Sequence, residues 1–89
     1  MISICIPRVD ASITLGYIKT KINSLNVGRV RFIREIPLRC DPTYKRILMR
    51  FDWNENNDRS TALQKQLEDI GSLKIVYDMP WYWKIVIAQ

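Results

Sequence analysis

The chain contains no histidine. That absence removes the usual general base at neutral pH, and with it the Ser-His-Asp and Cys-His arrangements of nucleophilic catalysis. Two cysteines without histidine cannot assemble a Cys₄ or Cys₂His₂ zinc site. Cys5 and Cys40 stand far apart in unlike contexts, which points to two free thiols in a reducing compartment. Glycine is scarce, at three residues, and no Gly-rich phosphate loop exists. No apolar run approaches the ~18–20 residues of a membrane helix. The first such run, Ile2 to Ile6, lacks the basic leader and small-residue cleavage site of a signal peptide. Glu35, Asp41, Asp52, Glu55, Asp58 and Asp78 show no paired spacing suited to acid–base work. The expectation is a non-enzymatic protein that uses no cofactor or metal and has no membrane partner.

What is present fits one small binding domain over residues 1–89. A chain this short buries only roughly 60–65% of its unfolded surface, enough for a single core. An apolar content of 47% with 10% aromatic residues argues against disorder. The net charge is +5, and its distribution is uneven: residues 1–27 carry +2, residues 28–50 carry +5 and residues 51–89 carry −2. Six of the seven basic residues in the middle segment are arginine: Arg29, Arg31, Arg34, Arg39, Arg46 and Arg50, with Lys45 the seventh. Arginine suits phosphate forks and stacking on bases, so the cluster suggests an anionic partner.

The alternation Ile2-Ser3-Ile4-Cys5-Ile6 predicts a strand ended by Pro7. Asp10 and Ser12 are capping residues, after which Leu15, Ile18, Ile22 and Leu25 mark one helix face, widened by Tyr17. Asn26 to Gly28 supplies the stop. Arg29 to Ile36 reads as a strand whose apolar positions shift from Val30 and Phe32 to Ile33 and Ile36, the sign of a bulge. Pro37 to Pro42 is a loop, and Tyr44 to Trp53 is a strand with Ile47, Met49 and Phe51 on one face and Arg46, Leu48 and Arg50 on the other. Ser60 is placed to cap a second helix with Leu63, Leu67 and Ile70 on its apolar face and Gly71 at its end. Leu73 to Tyr77 and Trp81 to Ala88 form a terminal hairpin around Asp78-Met79-Pro80. This β-α-β-β-α-β order is the split βαβ, ferredoxin-like motif: an α+β fold with a four-stranded antiparallel sheet, both helices on one face, and here a short extra strand before the last.

With that order, Val27-Gly28-Arg29-Val30 looks like the step from first helix to second strand in RNA-recognition-motif (RRM) domains. Ile4 to Val9 and Tyr44 to Phe51 fall where that family carries its first- and third-strand motifs, and the resemblance spans nearly the whole chain. It implies an RRM-like sheet that binds RNA or single-stranded DNA. The family stacks bases on aromatic residues of those strands; here the matching positions are Cys5, Arg46 and Leu48. The tail Ile75 to Lys84 and the segment Met49 to Trp53 resemble small RRM-like proteins of large nucleocytoplasmic DNA viruses. That narrower resemblance implies a viral protein acting inside the host cell, in cytoplasm or nucleus or packaged in the virion. Two other families with this element order need features missing here, a Cys-x-x-Cys or a Gly-rich anion loop after the first strand.

Two functions follow as alternatives. In the first, Arg29, Arg31, Arg34, Lys45, Arg46 and Arg50, with Tyr82 and Lys84, form a nucleic-acid face. The bland reading of the same charges is a solvated strand face that deters edge pairing. In the second, Leu48, Ile85, Val86 and Ile87 serve a protein partner or a homodimer, with the last strand at a sheet edge unless the Leu73–Tyr77 strand covers it. Trp81 and Trp83 alternate onto one face with Ile85 and Ile87, which suits core packing, an aromatic base platform or a partner anchor.

Overall fold

Pro7 does not end the first strand. In the computed structural model, which describes residues 2–78 and 81–88, β1 runs Ile2–Asp10 and shifts register between Ile6 and Val9. Proline has no N–H to give a ladder and is tolerated where the ladder is interrupted. The remaining elements are α1 (Leu15–Asn23), β2 (Gly28–Pro37), β3 (Tyr44–Trp53), α2 (Asp58–Ile70), β4 (Ser72–Asp78) and β5 (Trp81–Ile87). The fold is α+β, with one antiparallel five-stranded sheet in the order β2-β3-β1-β5-β4.

The expected extra strand thus joins the sheet rather than standing beside a four-stranded one. It takes the outer edge, and β5 lies inside between β1 and β4. The expectation that Ile85-Val86-Ile87 forms an edge is therefore wrong, and its alternative, cover by the Leu73–Tyr77 strand, is what the sheet order has. A strand apolar on both sides, such as β5, is better placed where both neighbours pair with it. Met79 and Pro80, the centre of the expected turn, lie outside the described residues.

Ile18 and Ile22 of α1 and Leu67 of α2 pack against Ile4, Ile6, Ile47, Met49, Phe51, Trp83 and Ile85 in one core cluster. Both helices therefore lie on the same sheet face. Tyr17 sits at the rim of this core, edge-on to the Trp83 ring at 6.2 Å. Trp83 is buried, but Trp81 is 64% exposed, because β4 shifts register between Val76 and Asp78 and leaves Trp81 at the hairpin end. Ile70, expected on the apolar face of α2, is 70% exposed in the last turn.

The helix caps differ from the expected ones. Asp10 and Ser12 bond to each other in a turn, and Thr14 is the N-cap of α1, its Oγ1 accepting from the Tyr17 N–H at 3.1 Å. Asn57, not Ser60, caps α2 by accepting from the N–H groups of Arg59 and Ser60. Ser60 is buried one turn in, and its hydroxyl donates to the Val27 carbonyl at 2.7 Å, tying α2 to the loop before β2. Any Ser/Thr/Asn/Asp near a helix start carries capping chemistry, so tertiary packing decides which one is used. Ser60→Ala should lower stability by about 1 kcal/mol, since the Val27 carbonyl keeps the Asn54 N–H. A urea titration would show this as a reduced midpoint at constant slope.

Candidate nucleic-acid interface

The helices leave the other sheet face open, and strand register arranges its side chains in rows. The middle row is Arg34, Leu48, Cys5, Val86 and Ser72, each opposite the next across β2, β3, β1, β5 and β4. One row toward the β3 C-terminus, Phe32 and Ser3 both face Arg50. One row the other way, Ile36 faces Arg46 on one side of the sheet and Lys74 faces Lys84 on the other. Leu48 and Val86 are half-buried and Cys5 is buried, so they form an apolar floor. Burial raises the Cys5 thiol pKa, and the nearby Arg46 charge works against that rise. Arg34, Arg46, Arg50, Lys74 and Lys84 stand exposed around the floor, and no acidic residue occurs in these three rows. Two shallow hollows on this face share Leu48 and Ala88.

The expected arginine patch is split. Arg34, Arg46 and Arg50 come together, whereas Arg29 and Arg31 lie beyond a register shift between Val30 and Phe32. Arg31 Nε donates to Asp52 Oδ2 at 2.5 Å, a hydrogen bond that is the main cause holding the Asp52 carboxyl below its usual pKa. Arg29 lies opposite the same Asp52 in register. These two arginines belong to a local cluster with Asp52, apart from the acid-free rows.

Lys45 leaves the face altogether. It is 7% exposed on the helix side of β3, where Nζ donates to Glu35 Oε2 at 2.6 Å and to the Ile13 carbonyl at 2.5 Å. Alternation from Ile47 and Met49 assigns Lys45 to the core side, and the arginine density around it masked that parity. Ile85 is likewise buried in the core, and Ile87, opposite Ile4, lies on the helix side. Of the expected partner-binding set, Leu48 and Val86 reach the open face.

Phe32 was missed as a site residue. Simple alternation pairs it with Val30, but the bulge falls at Arg31, one residue earlier than that pairing assumes. The ring is therefore turned to the open face and is 52% exposed opposite Arg50. The signal was present, since Ile33 and Ile36 had already broken the alternation. Tyr82 is on the open face as expected, with Lys74 Nζ 4.9 Å from its ring centroid. A third aromatic, Tyr44, closes the far end of the face beneath the Arg8 guanidinium, 3.8 Å from its centroid. Arg8 also lies 3.9 Å from Asp41, whose carboxyl is held below its usual pKa mainly by the Thr43 hydroxyl.

No family model, curated protein or solved structure matches the chain. Among the described residues no helix is long and apolar enough to cross a membrane, and no group of three or more cysteine or carboxylate side chains is placed to hold a metal ion.

Proposed function

We propose that the chain is a non-enzymatic, RRM-like module of the ferredoxin-like class, in which β5 takes the place of the fourth strand and β4 extends the sheet. Its open face binds single-stranded nucleic acid. The observation that carries this reading is the arrangement of five cations, without an intervening acid, around an apolar floor that has Phe32 at one side and Tyr82 at the other. Phosphates match the raised guanidinium and ammonium groups, and bases match the floor and the rings. The aromatic residues sit on the outer β2 and on β5, so stacking would occur beside the central strands and not on them. Sequence preference is then expected to be slight, because stacking and phosphate contacts read few base edges. On the viral resemblance, the partner is encountered in the host cytoplasm or nucleus or inside the virion.

The test is fluorescence anisotropy of labelled single-stranded RNA, single-stranded DNA and duplex DNA at two salt concentrations. Binding that weakens steeply with salt and favours the single strands is the expected result; flat anisotropy for all three at low salt would remove the reading. Phe32→Ala should weaken single-strand binding by about 1–3 kcal/mol, the usual worth of one stacked base. Its thermal melt should hardly move, because the ring is half in solvent. A second reading, a protein partner on the same face, is favoured by the apolar Leu48, Cys5 and Val86 floor itself; it predicts a flat nucleic-acid titration with a partner still bound at high salt.

A further inference from the structure

The two edges of the sheet are protected to different degrees. β2 carries Arg29, Arg31, Arg34 and Glu35, a bulge at Arg31 and a proline at its end. Charge, bulge and proline are the usual means by which an edge refuses another strand. β4 carries a single charge between Ser72 and Val76, no proline, and a register shift only at its far end. Four of the seven large apolar side chains found exposed among the described residues, Ile70, Val76, Trp81 and Tyr82, lie on or beside it. Val76 is 54% exposed at the edge itself. Beside the edge, on the helix side, a hollow opens between α2 and β4, lined by Leu63, Gln66, Ile70, Ser72, Leu73 and Lys74.

We propose that the β4 edge receives an extended peptide as a sixth strand, and that the peptide alternates apolar and acidic residues. The free N–H and C=O groups of an edge strand specify a β-strand as the occupant. Side chains of an added strand alternate between faces. Those on the helix side enter the hollow against Leu63, Ile70 and Leu73, so they are apolar. Those on the open side pass Ser72, Lys74 and Val76, and at Lys74, with Lys84 directly opposite it on β5, an acidic side chain fits. A second copy of β4 meets these requirements less well, because its one carboxylate, Asp78, lies at the strand end beyond the register shift, and it adds a second Lys74 beside the first. The site shares Lys74 and Lys84 with the proposed nucleic-acid face, but its other parts, the β4 edge and the hollow of Leu63, Ile70 and Leu73, lie apart from Arg34, Arg46 and Arg50 on β2 and β3.

The probe is a short labelled peptide of alternating valine and glutamate, titrated by anisotropy, with amide hydrogen exchange followed residue by residue. The expected result is saturable binding that slows exchange at β4 amides. Lys74→Glu and Ile70→Asp should each weaken it about tenfold or more, both being exposed positions that leave the fold intact. The Arg46→Glu, Arg50→Glu double variant should bind the peptide as wild type does, which separates this edge from the arginine rows. Absence of binding would overturn the proposal. So would binding lost in the arginine double variant, or slow β4 exchange in the protein alone that depends on its concentration, the mark of a second copy on the edge.

Discussion

Reversing Arg46 and Arg50 together to glutamate is expected to lower affinity for single-stranded RNA about a hundredfold or more. Hydrogen bonds to charged groups are worth about 1.5–3 kcal/mol each, and two are removed here. The two residues flank Leu48 on β3, one row apart from it on either side, so every strand crossing the floor passes between them. Neither forms an ion pair with another described residue. Both side chains are exposed to solvent. Reversal takes the three-row face from five positive charges to a net of one. The salt dependence should flatten as well, since each lost phosphate contact removes about 0.7 from the slope of log K against log salt for single strands. Thermal stability should stay close to wild type, because exposed substitutions away from special features change stability by about 0.5 kcal/mol or less. Lys45→Met supplies the contrast: it removes a positive charge on the same strand, but a buried one committed to Glu35 and Ile13, so affinity should hold. Wild-type affinity in the double variant would exclude nucleic acid from the sheet face.

Much of this arrangement was legible in the residues. Period-two alternation located β1, β3 and the tail strands, and the three-and-four spacing of Leu15, Ile18, Ile22 and Leu25 located α1. Arg46, Leu48, Arg50, Tyr82 and Lys84 stand on the open face where alternation put them, and Arg34 and Val86 join them there. The misses have several causes, and one is that local pattern does not report which neighbour a strand acquires. The expected terminal hairpin already supplies β5 with β4 as a neighbour, but nothing in Ile85-Val86-Ile87 itself distinguishes pairing on one side from pairing on two. The bulge at Arg31 was visible as a broken alternation, but its placement by one residue decides whether Phe32 enters the core or the face. Lys45 was counted with the arginines by charge, although its parity with Ile47 and Met49 puts it on the helix side. Caps were misassigned because several competent side chains precede each helix, and only packing selects among them.

Gly28→Ala is expected to be the most destabilising single-methyl change in the chain. Gly28 opens β2 opposite Trp53. A Cβ there would lie 2.2 Å from the Asp52 carbonyl oxygen and 2.6 Å from two ring atoms of Phe51. The ring cannot swing away freely, because Phe51 is buried and packs edge-on against Trp53 at 5.1 Å. The Asp52 backbone is fixed too: Arg31 holds its side chain, and Asn54, two residues on, donates to the Val27 carbonyl at 2.9 Å. The chain before Gly28 is held in turn by Ser60 on that same carbonyl. With both sides fixed, the methyl must force main chain apart. A cost of about 3 kcal/mol or more is expected, at the upper end for added volume in a packed site. For a domain of this size that corresponds to a fall in Tm of about 12 °C or more. Gly71→Ala is the control with the opposite cause. Its added Cβ meets nothing within 4 Å, but its φ of 87° is left-handed, so the penalty is backbone strain of about 1–2 kcal/mol. Thermal melts of the two variants should therefore separate, Gly28→Ala lying well below Gly71→Ala. Equal melting temperatures would mean that the start of β2 yields by a few tenths of an ångström to admit the methyl.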